Sequence, residues 1–381
     1  MNICAEQGLS IPVLRFPKFS GEWESKKLGA VGEVKMCRRI FNEETSPIGE
    51  IPFYKIGSFG KEADAFIPKE LYLEYREKFS FPKRGHILIS AAGTIGRLVV
   101  YNGEDAYYQD SNIVWIDNDN SIVSNEFLFF ILQIVKYNTE GGTIQRLYNS
   151  ILKSTKFSCP SLPEQHKIAF FFTAVDQKIY QLKQKKTLLE QYKKGVMQKI
   201  FSQEIRFSDV NGQEFPKWQK KKIKDLVEIK YGKDQKQISC ENGKYPILGT
   251  GGEMGRTNVF LTDKPSVLIG RKGTIDKPRY MDTPFWTVDT LFYTNIYSNT
   301  NPKWLYYKFE TINWYLYNEA SGVPSLSTST IYSIPINLPT LPEQTKIANF
   351  LSTIDNKINH THMQIEMAEV WKRGLLQRMF V

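Results

Sequence analysis

Four cysteines and four histidines in 381 residues leave little material for a disulfide framework, a zinc site or a histidine-based catalytic centre. Cys4, Cys37, Cys159 and Cys240 stand far apart and form no CxxC pair, which argues against a zinc ribbon or a redox motif and fits a reducing cytoplasm. His360 and His362 form a single HxH with no Cys or carboxylate partner at metal-site spacing, so the pair reads as a solvated helix face and no metal is expected. Long apolar runs are also missing. FLFFILQIV at 127–135 falls far short of the roughly 20 residues a membrane helix needs, and no basic leader followed by an apolar core opens the chain. A soluble, cytoplasmic chain is expected, with no membrane partner.

Chemistry-bearing motifs are equally scarce. The phosphate-loop pattern G-x-x-x-x-G-K-[ST] is absent, so no nucleotide motor is expected, and the glycine cluster GTGGEMG at 249–255 is by itself a weak cofactor signal. His86 and His166 have no recognisable nucleophile motif nearby. NPKW at 301–304 superficially echoes the NPPW type of adenine-methylase motif, but Lys303 takes the place of the second proline and WLYYKF reads on as an amphipathic helix. The expectation is a non-catalytic chain.

What the chain does have is a net charge of +10, unevenly placed. Residues 1–160 carry equal numbers of acidic and basic side chains, whereas 161–205 and 206–340 carry the basic excess. A basic excess points to a polyanionic partner, because phosphate neutralisation supplies much of the affinity for nucleic acid.

It also has one sentence written twice. LPEQHKIAFFFTAVDQKI (162–179) and LPEQTKIANFLSTIDNKI (341–358) share 11 of 18 residues without a gap, including Glu164 and Glu343, Gln165 and Gln344, Asp176 and Asp355. Helical periodicity restricts apolar positions but does not dictate polar identities. The offset of 179 carries on to KKGVMQKIF (193–201) over KRGLLQRMF (372–380) and reaches back to Asp110 and Asp289. At nearly the same offset GTI recurs at 93–95 and 273–275, and FLFF (127–130) answers WLYY (304–307). The whole chain reads as a diverged tandem duplication.

Each repeated helix opens with an [ST]-x-x-E capping-box spacing, Ser161 with Glu164 and Thr340 with Glu343, and with Pro163 or Pro342 in the tolerant first turn. In the first, Ile168, Phe172, Val175, Ile179, Leu182, Leu189, Val196 and Ile200 form a heptad seam interrupted by Lys186 and Lys193. In the second, Ile347, Leu351, Ile354, Ile358, Ile365, Ala368, Leu375 and Met379 occupy the same frame, interrupted by Thr361 and Lys372. The expected partner of each seam is the other copy, in a coiled coil. Gly195 and Gly374, at matching places, read as a point of close helix approach, with a hinge as the rival reading.

The segments outside the helices carry short β-branched runs such as HILIS (86–90), LVVYN (98–102) and SVLIG (266–270) between Gly, Asp and Asn turns, as expected of globular α/β modules. The predicted organisation is a first module at 1–160, a helix at 161–205, a second module at 206–340 and a helix at 341–381. The helices stayed alike while the modules drifted, as if two modules with different targets sat on one symmetric frame.

At LPEQ followed by KIA, at the KKG and KRG helix ends, and at the RF-plus-Trp stretches of 15–23 and 206–218, the chain resembles the specificity subunits of type I restriction-modification systems. KYPILGTGGEMG (244–255), VLIGRKGT (267–274) and PFWTVDTLFY (284–293) are similar to the module core of such subunits. The resemblance covers essentially the full length. It implies an α/β (α+β) fold of pseudo-twofold symmetry, with two target-recognition domains joined by two long antiparallel coiled-coil helices. Each domain would read one half of a split double-stranded DNA target, and the helices would set the spacer and dock two methyltransferase subunits, which a restriction and translocase subunit joins. S-adenosylmethionine and ATP with magnesium would then bind those partners, leaving this chain without a cofactor.

The candidate DNA contacts are Arg271, Lys272 and Thr274 of GRKGT, where an arginine fork suits guanine and a lysine suits phosphate. On the first module they are Lys55, Ser90, Thr94 and Arg97, although SAAGTIGR (90–97) departs from the GRKGT form. The alternative is a coiled-coil adaptor that binds only proteins, which explains the helices but not the polar turns of the modules.

Overall fold

The computed structural model describes residues 11–137 and 146–381. Cys4 lies outside them. Internal contacts divide the chain into two compact units, one of residues up to Gln181 with Ile365–Val381, the other of Leu182–Gln364. These units differ from the four sequence segments in that each takes half of each long helix.

In the first unit the order is β1 (Glu24–Lys27), β2 (Gly32–Lys35), β3 (Ile51–Tyr54), β4 (Phe66–Ile67), α1 (Lys69–Lys78), β5 (Ile87–Ser90), β6 (Leu98–Val100), β7 (Tyr107–Tyr108), β8 (Ile113–Asn118), α2 (Asn125–Ile134), α3 (Asn149–Ser154) and β9 (Lys156–Cys159). A long helix, α4 (Leu162–Phe201), then begins. The second unit runs β10 (Gln219–Lys222), β11 (Val227–Lys230), β12 (Tyr245–Gly249), β13 (Gly252–Thr257), β14 (Ser266–Gly270), β15 (Arg279–Met281), β16 (Trp286–Thr287), β17 (Leu291–Ile296), α5 (Pro302–Glu310), α6 (Thr328–Ser333) and β18 (Pro335–Leu338), ending in α7 (Leu341–Met379).

The two units have one topology. A four-stranded sheet has the order β2-β8-β5-β6 in the first and β11-β17-β14-β15 in the second. A three-stranded sheet follows as β4-β3-β7 and β13-β12-β16, each with one parallel pair, and a two-stranded ladder as β1-β9 and β10-β18. The repeat therefore extends strand by strand through segments whose sequences have diverged.

The helices join the cores of the modules they adjoin. Ile168, Ala169 and Phe172 of α4 pack with Leu376, Met379 and Phe380 against Trp23, Phe127 and Phe130. In the other unit Met197 and Ile200 pack with Ile347, Leu351 and Ile354 against Ile223, Trp304 and Leu305. Within each unit the two helix halves run antiparallel, as Phe172 with Phe380 and Asp176 with Lys372 require in the first, and Lys193 with Asp355 and Arg206, just past α4, with Glu343 in the second.

Most of the seam is buried: Ile168, Phe172, Val175, Ile179, Leu182, Ile200, Ile347, Leu351, Ile354, Ile365 and Met379. Leu189, Val196, Ile358, Ala368 and Leu375 are half-buried. Near the helix ends the buried stripe passes to the next residue, Met197 for Val196 and Leu376 for Leu375. A straight helix of 3.6 residues per turn drifts about 20° per heptad against a 3.5 repeat, which is enough to move the stripe by part of a residue.

Gly195 and Gly374 do not mark a close approach: a Cβ built at either meets nothing within 4 Å, and both helices run through them unbroken. Nor is the expected capping box the role of the repeated glutamates. Glu164 is buried and takes two bonds of 2.7 Å from Nε and Nη2 of Arg15, and Glu343, fully buried, faces Nη2 of Arg206 at 3.3 Å. Thr340 Oγ1 has no hydrogen-bond partner among the described residues. A buried carboxylate favours a cation over a lone N–H because an unpaired charge in the interior is costly.

The repeated glutamines are locks of the same kind. Gln165 accepts the Ser124 N–H at 2.9 Å and donates to the carbonyls of Ile122 and Pro160. Gln344 accepts the Asn301 N–H at 2.7 Å and donates to those of Asn299 and Pro339. Ser124 and Asn301 are the N-caps of α2 and α5, so each glutamine ties a module helix to the start of a long helix. NPKW is thereby the start of α5: the Asn301 side chain accepts the N–H groups of Lys303 and Trp304, and Trp304 is fully buried.

Candidate nucleic-acid interface

The sheet topology brings four loops to one edge of each unit. In the first, β2 ends at Lys35 beside Trp115 near the start of β8, β5 ends at Ser90 beside Ile113, and β3 and β7 end together at Tyr54 and Tyr108. The loops that leave these ends, 36–41, 55–59, 91–97 and 109–112, share one edge. Hydrogen bonds knit them: the Ile56 N–H donates to Gln109 Oε1 at 3.0 Å, Gln109 N–H donates to the Tyr54 carbonyl, Ala91 N–H donates to the Asn112 carbonyl, and Arg97 Nη1 donates to the Phe59 carbonyl at 2.7 Å.

The second unit repeats this with 231–236, 250–251, 271–274 and 288–290. The N–H of Arg271 donates to the Thr290 carbonyl, that of Lys233 to the Thr287 carbonyl, and that of Val288 to the Leu248 carbonyl. Arg279 donates to the Gly249 and Thr250 carbonyls, fixing the turn between β12 and β13. A hollow of about 340 Å³ opens between Asp234–Lys236, Met254 and Val288–Thr290. In the first unit one of about 370 Å³ opens beside Met36, Ala91 and Ser111.

Arg271, Lys272 and Thr274 therefore stand on the same edge as one another and as Tyr231 and Asp289. Arg271 Nη1 donates to the Asp289 carbonyl at 3.0 Å, its carboxylate lies 3.7 Å away, and the guanidinium sits 5.4 Å above the Tyr231 ring. Lys272 is exposed and Thr274 half-buried. Lys55, 3.7 Å from Asp64, Thr94, which is exposed, and Arg97 share the corresponding edge of the first unit.

Ser90 is placed differently. It is buried, its hydroxyl donates to the Thr94 carbonyl, and it accepts the Arg97 N–H at 2.8 Å. Its counterpart is Gly270, where an added Cβ would fall 2.0 Å from the Thr274 carbonyl. The two turns thus close over the same carbonyl, one with a hydroxyl and the other with a glycine, and Gly93 and Gly273 both take positive φ in them.

Arg39 is a residue of this edge that sequence reading missed. Its Nε donates to Asp110 Oδ2 at 2.9 Å. The repeat of Asp110 and Asp289 at the 179 offset was the available signal.

Burial pushes the Cys37 thiol up to about 12 and that of Cys159 to about 11, and holds His86 below its ordinary value. His360 and His362 lie exposed on α7. No helix among the described residues is long and apolar enough to cross a membrane.

Two stretches of the chain, 20–191 and 216–368, match the family model of the type I restriction modification DNA specificity domain. The chain belongs to that family. It carries the domain twice, in the two units already seen to share a topology. A putative type I restriction enzyme specificity subunit of Haemophilus influenzae is 58% identical over 143 residues, 37% of each chain. The MjaVIII specificity subunit of Methanocaldococcus jannaschii is 26% identical over 308 residues, 70% of this chain and 72% of that one. A crystal structure of the S subunit of a type I restriction-modification system from M. genitalium superposes with a TM-score of 0.64 at 18% identity, covering 97% of this chain and 99% of that one. Another structure, from work on assembly and conformational transition of a type I system, gives 0.55 at 14% identity, over 94% and 97%. These structural likenesses establish the fold: a mixed helix and sheet architecture of two repeated domains with two long antiparallel helices.

Proposed function

We propose that this chain is the DNA-reading subunit of a type I restriction-modification complex, each unit reading one half of a split double-stranded target through the loop edge described above. The observation that carries this reading is the pairing of one frame with two different edges. The polar residues that hold the frame recur, while the loops differ in sequence and in the placing of their cations. A protein that recognised one partner twice would have no use for that difference.

On this reading the chain is non-catalytic. Two methyltransferase subunits and a restriction and translocase subunit do the chemistry, and S-adenosylmethionine and ATP with magnesium are theirs. The long helices set the unread spacer. One heptad added to each, after Leu182 and after Thr361, lengthens them by about 10 Å, which at ~3.4 Å per base pair adds about three base pairs to the gap.

The direct test is binding of the chain, assembled with its methyltransferase subunits, to duplex DNA over a range of salt. For a DNA reader the logarithm of the affinity falls linearly with log salt, with a slope set by the phosphates it neutralises. An adaptor that binds only proteins shows no such binding.

A further inference from the structure

Asp110 and Asp289 stand at the same place in the two units, just before β8 and β17, and each meets an arginine, Asp110 through its carboxylate at 2.9 Å and Asp289 through its backbone carbonyl at 3.0 Å with its carboxylate 3.7 Å off. The arginines come from different loops. In the second unit Arg271 comes from the turn after β14, whose counterpart after β5 is Ala91. In the first, Arg39 comes from the loop after β2, whose counterpart after β11 is Asp234. The aspartate is thus a common fixture of the edge, while the arginine it holds has a different source in each module.

The geometry at Arg39 is that of an aimed fork. Asp110 is largely covered, with a side chain 14% exposed, whereas that of Arg39 is 59% exposed. The carboxylate engages Nε only, and Nη1 and Nη2 make no hydrogen bond among the described residues. Asp110 is itself fixed: its loop is tied to β3 through Gln109, and the Asn112 N–H donates to its carbonyl at 2.6 Å. A guanidinium held at Nε by a fixed carboxylate leaves its two Nη groups, on a largely exposed side chain, as a fork of N–H donors for a partner. A guanine presents two acceptors, O6 and N7, at that spacing in the major groove. A phosphate-binding cation would gain nothing from a carboxylate beside it, since the carboxylate cancels the attraction to the backbone. Cancelled charge with a retained fork suits a base edge better than a phosphate.

We infer that Arg39 is a base-reading residue of the first unit, that it recognises a guanine in that unit's half-site, and that Asp110 is its positioning residue. The inference rests on the DNA-reading function proposed above and adds a residue and a base to it. In the second unit Arg271, held by Asp289 and resting on Tyr231, is the counterpart by function and not by descent of position.

The test is sequencing of methylated sites in cells carrying the full system with the chain as wild type, Arg39→Ala, Arg39→Lys or Asp110→Asn. The wild type is expected to require a guanine at one position of one half-site. Arg39→Ala relaxes that position by roughly tenfold or more and leaves the other half-site as it was. Arg39→Lys, which keeps the stem and charge but not the fork, relaxes the same position, and Asp110→Asn relaxes it more weakly. Should the alanine protein fail to accumulate, the lysine variant decides. An unchanged motif in the lysine variant, or relaxation at a base other than guanine, overturns the assignment. A wild type whose methylation has no split site overturns the functional reading first, and is distinguishable because it precedes any effect of the variants.

Discussion

The two units answer the same physical problem with the same polar contacts between module and long helix and with different residues at their edges. Arg15 with Glu164 and Arg206 with Glu343 tie the lead-in of each module to a long helix. Gln165 and Gln344 bind two carbonyls and one N–H each at matching places. Asp176 with Lys372 and Asp355 with Lys193 pair the helices, and both lysines lie over the ring of an equivalent aromatic, Phe130 or Tyr307. Glu164, Glu343, Gln165 and Gln344 are buried, and replacing one of them leaves its partners unsatisfied, which costs more than the bond is worth. The edge loops are knit largely by backbone N–H and carbonyl groups, which constrain the side chains less. That asymmetry is why a duplicated chain keeps a frame and frees its reading surfaces.

The strongest break in the comparison comes at the buried ion pairs. Glu164→Ala and Glu343→Ala each remove an arginine's counter-charge and leave it only backbone carbonyls, at an expected cost of about 3 kcal/mol. Amide hydrogen exchange in the four-stranded sheet of the affected unit measures it. Matching losses in the two units are predicted, and a loss in only one ends the claim of equivalent frames. Gln165→Leu and Gln344→Leu come next, at about 1 to 3 kcal/mol for each group left unpaired.

Asp176→Ala and Asp355→Ala sharpen the comparison because here the units differ. Asp176 and Lys372 form a partly exposed pair, expected to contribute about 1 kcal/mol or less. Asp355 also accepts the Tyr307 hydroxyl at 2.6 Å, where the first unit has Phe130. Its loss is expected to exceed that of Asp176 by about 1 to 2 kcal/mol, read from denaturant unfolding.

A smaller difference is in pH response. His86 is buried, accepts the Lys83 N–H on Nδ1, and lies 3.6 Å from Asp117, with Lys35 on the same carboxylate. Desolvation outweighs Asp117 and lowers its pKa from 6.5. As the pH falls below that value the unfolded chain takes up a proton that the folded chain resists, so stability falls until the lower folded pKa is reached. Ser266 replaces it in the second unit. As the pH drops below 6.5, protection from exchange relative to the intrinsic rate is therefore expected to fall more in the first unit than in the second, and His86→Ser to abolish the excess. Smallest is thiol labelling at neutral pH, which is expected at exposed Cys240 before buried Cys37 and Cys159.

Sequence carried the duplication, the paired helices and their seam because those signals are local or repeated at a fixed offset. It misread what depends on distant partners. The spacing Ser161 to Glu164 suggests a cap, but the glutamate's partner is Arg15, 149 residues away. Lys193 and Lys372 interrupt an apolar seam in the sequence, and the aspartates that pair with them sit on the other long helix. Val196 and Leu375 were placed by a strict heptad that the helices do not keep. Arg39 has no motif around it, and its aspartate is 71 residues distant. The Arg271 turn was legible because glycines flank it, whereas Ser90, in the equivalent turn, is consumed by its own backbone.

The central claim, that two separable readers sit on one frame, is tested most directly by mapping methylated sites in cells whose full system carries Arg271→Ala with Lys272→Ala. The account predicts a split target in which one half relaxes and the other half, with the gap between them, stays as in the wild type. An unchanged motif, or relaxation of both halves together, would contradict it.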